Sequence, residues 1–176
     1  MPLVTFVESF RMKILLVFCF AILSFSAFAQ TDTIAPPYKR FPFLPPLQLL
    51  LADSTKFTKD DLQRNKQTLI VLFSPECEHC QHEAEMLYAG REMLDKIQIV
   101  MITTYPIYRM KEFAENYGLN NMKNVTVTKD PHYLMIPFYD VRNFPFMAFY
   151  DKKGKLIDTF QGTATIEKVL EKFKGK

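Results

Sequence analysis

Two cysteines separated by two residues are the side chains of this sequence that point most directly to chemistry. Cys77 and Cys80 follow an apolar run, residues 69–73, whose length and β-branched content predict a buried strand. Ser74-Pro75 interrupts that run, and good helix formers follow the second cysteine. We expect a strand, a sharp turn and a helix that begins with the cysteine pair, which is the layout of a redox dithiol.

The position of Cys77 at the start of the predicted helix favours it as the nucleophile. Unpaired backbone N–H groups and the positive end of the helix dipole lie there, and both stabilise a thiolate. Cys80 falls one turn further along the same face, where it can attack a mixed disulfide and resolve it. Glu78 and His79 are expected to tune the pair, because a protonated His79 stabilises the thiolate whereas Glu78 opposes it.

The sequence gives less support to two other roles for the same cysteines, a zinc site and an inert disulfide. A zinc site needs two more ligands, and only Cys19, in the leader described below, is a further cysteine. An inert disulfide across so short a loop constrains the unfolded chain little.

The formal charge of +3 is small, and no basic run is long enough to predict binding to nucleic acid.

Residues 1–29 have the three parts of a secretory signal peptide. A positively charged segment precedes an apolar stretch over residues 14–28, which ends in the small-x-small tripeptide Ala27-Phe28-Ala29. That stretch, about 15 residues, is short for a spanning helix, which needs about 20. We therefore predict export, with an uncleaved anchor as the alternative. A single close dithiol in an exported protein is suited to handling the disulfides of other proteins.

The remaining residues predict a linker and one domain. Five prolines in residues 30–46 favour an extended linker whose aromatic side chains pack on the domain. Residues 47–176 are predicted to form the domain, beginning with a strand at 47–51. Thr58 is expected to cap a short helix over residues 59–63, with an acid three residues after the cap.

Strands and helices then alternate along the domain. Residues 78–94 form a predicted amphipathic helix with Cys80 on its apolar stripe and Glu83 mostly outside it, and Gly90 predicts a close approach or a bend. The order βαβα followed by ββα predicts a mixed sheet with helices on both faces. The other predicted segments are strands at 97–102, 125–128, 146–150 and 155–160, and helices at 108–117, at 131–138 and after Thr165.

This order, with the dithiol after the first core strand, resembles the thioredoxin fold and, more closely, the exported thiol–disulfide oxidoreductases of the TlpA/ResA type. The resemblance covers residues 47–176 and implies a three-layer α/β/α fold with a mixed central sheet and an extra N-terminal strand. Four features carry it: the capped turn at 58–63, Phe-x-x-x-Cys-x-x-Cys from Phe73 to Cys80, the insertion between Ile102 and Phe144, and Phe144-Pro145 before a strand hairpin.

The resemblance also implies roles for particular residues. Pro145 is implied to be a cis-proline that faces the dithiol, and the backbone of Phe144 is implied to pair with an extended substrate chain. The resemblance further implies that Cys77 and Cys80 exchange disulfides with protein substrates, which the predicted export would place in a bacterial periplasm or cell envelope. It also implies a membrane redox partner that resets the pair, and it implies no cofactor.

Several positions depart from the thioredoxin pattern. Val71 stands where thioredoxins carry a buried acid, so the usual proton acceptor for the resolving cysteine is missing. Phe73 and Glu76 replace the aromatic pair near the dithiol. The dipeptide between the cysteines combines a glutamate typical of reducing members with a histidine typical of oxidising ones. Both directions of electron flow therefore stay open.

Two other functions remain as alternatives. In peroxiredoxin-like enzymes the peroxide-reducing cysteine usually follows a Pro-x-x-x-Thr-x-x pattern, which the residues before Cys77 lack. A copper-binding or copper-delivery module would add His79, His82 or His132 to the two cysteines. Such modules usually have three residues between the cysteines and a distal histidine, so His132 could serve only by folding back over the dithiol.

Overall fold

A mixed sheet of seven strands organises the chain in the computed structural model, which describes residues 35–174. The signal peptide predicted at residues 1–29 lies outside the described residues. The strands are β1 (Leu49–Leu50), β2 (Lys56–Phe57), β3 (Gln67–Leu72), β4 (Ile97–Thr103), β5 (Val125–Lys129), β6 (Phe146–Tyr150) and β7 (Leu156–Gln161). The helices are α1 (Pro37–Arg40), α2 (Glu78–Ala89), α3 (Ile107–Asn116), α4 (Met135–Tyr139) and α5 (Ile166–Lys174), with 3₁₀ turns at Lys59–Asp61 and Leu119–Asn121.

The order of strands across the sheet is β2-β1-β5-β4-β3-β6-β7. Strands β3, β4 and β5 are parallel to one another, whereas β6 is antiparallel to β3, and β7 is antiparallel to β6. The carboxyl ends of the three parallel strands therefore lie at the same edge as the amino end of β6. This shared edge carries the cysteine pair, which follows β3, and Pro145, which precedes β6.

Both faces of the central strands are buried. Along β3, Leu69 and Val71 belong to one core cluster, and Ile70 and Leu72 belong to the other. Helices α2, α3 and α5 contribute side chains to the first cluster, whereas α4 contributes to the second. Layers on both faces of a mixed sheet confirm the predicted three-layer α/β/α architecture. No helix among residues 35–174 has the length and apolar content needed to cross a membrane.

The beginning of the domain matches the prediction in part. The predicted extra strand is present as β1, which pairs with the short β2 and with β5. Thr58 caps the first 3₁₀ turn in a capping box with Asp61. The extended conformation predicted for the linker is wrong over Pro37–Arg40, which form a helical turn because proline suits the first helical position. Tyr38 of this turn packs on the domain, and the centroid of its ring lies 6.0 Å from the ring centroid of Tyr139.

The predicted bounds of the long helix are also corrected. Helix α2 ends at Ala89 rather than at residue 94, with Gly90 as its C-cap. A Cβ atom on Gly90 would lie 2.5 Å from Cγ1 of Ile166 in α5, so this glycine serves a close approach. The following helix, α3, ends as predicted before Gly118, whose φ of 67° is the left-handed conformation expected at that position.

Candidate active site

Cys77 and Cys80 lie at the start of α2, as their spacing predicts. Cys77 is the N-cap residue, and its carbonyl oxygen accepts hydrogen bonds from the N–H groups of Cys80 at 2.9 Å and Gln81 at 3.0 Å. Both cysteines are free thiols. Cys77 is half-buried, whereas Cys80 is only 1% exposed. An approaching substrate therefore meets the sulfur of Cys77 first.

Phe144 and Pro145 lie against the cysteine pair. The Phe144–Pro145 peptide bond is cis. The thiol of Cys77 donates a hydrogen bond to the carbonyl oxygen of Phe144 over 3.8 Å. The carbonyl oxygen of Pro145 in turn accepts the N–H of Gly162 at 2.8 Å, which ties this loop to the end of β7. The structure thus places Phe144, the residue before the cis-proline, within reach of the Cys77 sulfur.

The surroundings of Cys80 favour its protonated form. Burial raises the pKa of this thiol well above its usual range, although a hydrogen bond with the Ser74 backbone acts in the opposite direction. The adjacent Cys77 sulfur and the carboxylate of Glu83 also raise the pKa of Cys80. Cys80 must therefore give up a proton before it can attack a disulfide.

Glu83 is a functional candidate that the sequence reasoning placed wrongly. It was expected mostly outside the apolar stripe of α2, yet it is only 1% exposed. Its Oε2 accepts the N–H of Ala164 at 2.8 Å, and within residues 35–174 its Oε1 has no hydrogen-bond partner. Burial raises the pKa of Glu83 to about 7, and the hydrogen bond from Ala164 opposes that shift.

The helical spacing contained the signal for this burial. Glu83 follows Cys80 by three residues and directly precedes Ala84, so it lies on the same face as both. A carboxylate is rarely fully buried, and composition alone therefore favoured solvent. In the structure Ala164, just before α5, belongs to the same core cluster as Cys80 and Ala84, and its N–H bonds to Glu83.

The two residues predicted to tune the dithiol are exposed. The side chains of Glu78 and His79 face solvent and make no hydrogen bond or ion pair with any other residue that the structure describes. Glu76 has partners instead: the hydroxyl of Tyr105 donates to its Oε2 at 3.2 Å, and Arg109 lies 3.6 Å from its Oε1. These contacts hold the turn before Cys77 against the start of α3, and no spacing in the sequence indicates them.

Two of the three histidines have acidic partners. His82 pairs with Glu85 on the surface of α2, and the backbone N–H of His132 donates to Asp130 at 3.2 Å after β5. Within residues 35–174, no group of three or more His, Cys, Asp or Glu side chains is arranged to hold a metal ion.

Comparison with protein-family models found no match, and neither did comparison with curated proteins. Solved structures do match. A secreted disulfide oxidoreductase of Mycobacterium tuberculosis is 19% identical, with a TM-score of 0.61, over 72% of this chain and 93% of that one. The exposed lipoprotein thioredoxin of Streptococcus pneumoniae is 21% identical, with a TM-score of 0.58, over 74% and 98%. A thioredoxin-like protein of Aeropyrum pernix is 15% identical, with a TM-score of 0.60, over 73% and 88%. The chain therefore has the thioredoxin-like fold.

Proposed function

We propose that the protein is a thiol–disulfide oxidoreductase that acts on protein thiols and disulfides through Cys77 and Cys80. The observation that carries this proposal is the unequal placement of two free thiols one helical turn apart. Cys77 is half-buried at the N-cap of α2, whereas Cys80 is enclosed by the core. Cys77 is accessible to a substrate disulfide, whereas Cys80 is shielded from it and can act on the mixed disulfide at Cys77.

In the reducing direction, the thiolate of Cys77 attacks one sulfur of a substrate disulfide. The substrate S–S bond breaks, and its second sulfur leaves as a thiolate that takes up a proton. Cys80 then attacks the sulfur of Cys77, and the first substrate sulfur leaves in the same way. The two electrons of the dithiol pass to the substrate, and the protein is left with a Cys77–Cys80 disulfide. As an oxidant, the protein runs the same steps backwards.

Glu83 serves in this mechanism as the acceptor for the proton of Cys80. The position that holds a buried acid in thioredoxins is here the apolar Val71, which is fully buried. Glu83 lies one turn after Cys80, its pKa is near neutrality, and the free Oε1 has no competing donor among the described residues. A carboxylate with such a pKa can take the proton and release it again at neutral pH.

The loop around Pro145 provides the surface for the substrate chain. The carbonyl oxygen of Phe144 is within hydrogen-bond reach of the Cys77 sulfur, so a substrate cysteine bound to Cys77 has a backbone acceptor beside it. An extended substrate segment can add to this loop by main-chain hydrogen bonds, which read the backbone rather than the sequence. Phe144 and Pro145 are accordingly proposed as substrate-binding residues, with Glu78 and His79 as exposed tuning residues.

The proposed location is the periplasm or cell envelope of a bacterium. The N-terminal pattern is that of an exported protein. Two of the similar structures belong to a secreted and to an exposed protein, which agrees with that location. A membrane redox partner is proposed to reset the dithiol, because a single dithiol completes only one exchange before it needs electrons or an acceptor.

Replacement of Cys80 with serine tests the exchange. The mixed disulfide of Cys80→Ser with a disulfide-bonded peptide has no internal resolving thiol, so we expect it to accumulate and to be seen by mass spectrometry under non-reducing conditions. The matched variant Cys77→Ser keeps the buried thiol only, and we expect it to trap no peptide. Equal trapping by both variants would contradict the assignment of Cys77 as the nucleophile.

A further inference from the structure

The end of the sheet opposite the cysteine pair holds a cleft whose lining carries an excess of positive charge. This cleft of about 270 Å³ opens between the segment that leads into β3 and the turn between β6 and β7. Its walls hold one carboxylate, that of Asp151, and five cationic side chains. The cations are Lys59, Arg64, Lys66, Lys152 and Lys153.

These cations are not neutralised within the fold. None of the five makes an ion pair within residues 35–174. The carboxylate of Asp151 is engaged in the β6–β7 turn, where its Oδ1 accepts the N–H groups of Lys153 and Lys155, each at 2.8 Å. In the lining of the cleft, the amide of Gln98 bonds to neutral groups of Gln63 and Thr68. Among the described residues, the charge of the five cations is therefore not compensated by ion pairs and is available to a partner in solution.

The chain segment that borders the cleft carries two exposed phenylalanines. Phe43 lines the cleft and is 57% exposed, and Phe41 is 59% exposed. Phe43 is held by its backbone, which bridges to Lys155, and Leu44 donates its N–H to Gly154 at 2.9 Å. The expectation that the aromatic side chains of residues 30–46 pack on the domain is thus wrong for Phe41 and Phe43. We call the five cations and these two phenylalanines the basic face.

The basic face lies well away from the cysteine pair. Strand β3 begins at this end with Gln67 and reaches the dithiol edge at Leu72. Six residues of extended chain span roughly 20 Å. A large partner on the basic face therefore leaves Cys77 open to solvent.

We propose that the basic face docks on a bilayer surface rich in anionic lipids. Clustered lysines and arginines are attracted to the negative surface potential of such a bilayer, and exposed aromatic rings enter its interfacial region. Phe43 supplies a ring in the same lining as the cations, and Phe41 lies two residues before it in the chain, so this part of the surface offers both interactions. Docking in this orientation presents the dithiol edge to the aqueous side. The proposal is independent of the redox activity.

Sedimentation with lipid vesicles tests the proposal. Residues 35–176 form one compact unit that contains both cores, so this fragment is used without the preceding apolar stretch, after circular dichroism has verified that each variant is folded. We expect tighter binding to vesicles of phosphatidylglycerol and phosphatidylcholine than to phosphatidylcholine alone, and weaker binding as salt is added. Equal binding to the two kinds of vesicle would overturn the proposal.

Two double variants, each lacking two positive charges, distinguish an effect of the basic face from an effect of the net charge of the protein. We expect the double variant Lys152→Gln/Lys153→Gln to lower the partition coefficient on anionic vesicles by about tenfold or more. The control Lys111→Gln/Arg142→Gln removes the same charge from exposed positions outside the cleft, and we expect a much smaller change. Phe41→Ser should weaken binding without altering its salt dependence. Equal losses in the two double variants would contradict docking by this face.

A soluble phosphate compound in the cleft is the other outcome that the experiment distinguishes. Inorganic pyrophosphate is titrated into the fragment by calorimetry and is added to the vesicle assay. Bilayer docking predicts no saturable binding of pyrophosphate at low salt and no displacement beyond that caused by its ionic strength. Saturable binding that Lys152→Gln/Lys153→Gln removes would replace the bilayer with a small phosphate ligand.

Discussion

The two thiols at the start of α2 differ in access and in surroundings, although only two residues separate them. Cys77 is half-buried, whereas Cys80 is enclosed and burial raises the pKa of its thiol. We predict that iodoacetamide at neutral pH modifies Cys77 faster than Cys80 by more than about tenfold, because only the thiolate reacts and the reagent must reach it. Peptide mapping after short reaction times measures the ratio. Equal modification of both cysteines would contradict their assigned roles.

Glu83 gives a pH dependence of stability whose sign is fixed by its burial. Because burial raises the pKa of Glu83 from 4.5 to about 7, the folded protein holds a proton between these pH values that the unfolded chain has released. The stabilisation from protonated Glu83 is complete below about pH 4.5 and is lost as the pH rises through about 7. We predict that the unfolding free energy of Glu83→Gln, relative to wild type, rises by roughly 2–3 kcal/mol between about pH 4.5 and about pH 8.

Urea unfolding with both cysteines reduced measures that difference. Glu85→Gln is the matched control, because Glu85 lies on the exposed side of the same helix, beside His82. We expect a much smaller change with pH for this control. A difference between Glu83→Gln and wild type that does not change with pH would show that Glu83 is not protonated by burial.

At the scale of single residues, the sequence predicts those site residues that belong to a motif of fixed spacing. The two cysteines begin α2 as the pattern predicts, and Cys77 contacts the carbonyl oxygen of Phe144. Glu83 was missed because a charged side chain is ordinarily assigned to solvent, and its burial depends on the backbone of Ala164, which is distant in sequence. The partners of Glu76 come from α3 and its preceding loop, and no local pattern indicates that pairing.

At the scale of elements, the close contact between the end of α2 and α5 depends on Gly90. A Cβ atom at this position would lie 2.5 Å from Cγ1 and 2.8 Å from Cδ1 of Ile166. The φ of Gly90 is −89°, so the expected strain is in packing and not in the backbone. We predict that Gly90→Ala lowers the free energy of unfolding by about 1–3 kcal/mol.

A double-mutant cycle identifies the source of that loss. In the background of Ile166→Ala the three side-chain atoms that meet the new Cβ are absent, so we expect Gly90→Ala to cost less there. Urea unfolding of the four proteins of the cycle provides the measurement. The same cost in both backgrounds would show that Ile166 is not the obstacle.

The elements themselves were predictable wherever one physical signal dominates. Apolar runs located β3, β4 and β6, and Gly118 marked the end of α3. The end of α2 was misplaced because Leu94 continues the apolar stripe although the helix stops at Gly90. The short β2 was missed because two residues carry no periodic pattern, and its pairing with β1 is set by the tertiary structure.

At the scale of the whole molecule, element order predicted a mixed sheet with helices on both faces, and the resemblance to thioredoxin-like proteins implied the rest of the fold. A helical connection between parallel strands followed by an antiparallel hairpin leaves few ways to build one sheet with both faces covered. The comparisons with solved structures agree with that fold. The basic face was not predictable, because its cations come from segments that only the tertiary structure brings together, namely the residues before β3 and the β6–β7 turn.

The reduction potential of residues 35–176, equilibrated against glutathione or dithiothreitol buffers, tests the central claim most directly. A thiol–disulfide oxidoreductase predicts a two-electron couple between about −270 mV, the value of thioredoxin, and about −120 mV, the value of the oxidant DsbA. A potential near the lower value identifies a reductant, and one near the upper value an oxidant. We expect Cys77→Ser to abolish the couple. Failure of the wild-type protein to form a reversible Cys77–Cys80 disulfide at any ratio of the buffer components would contradict the proposed function.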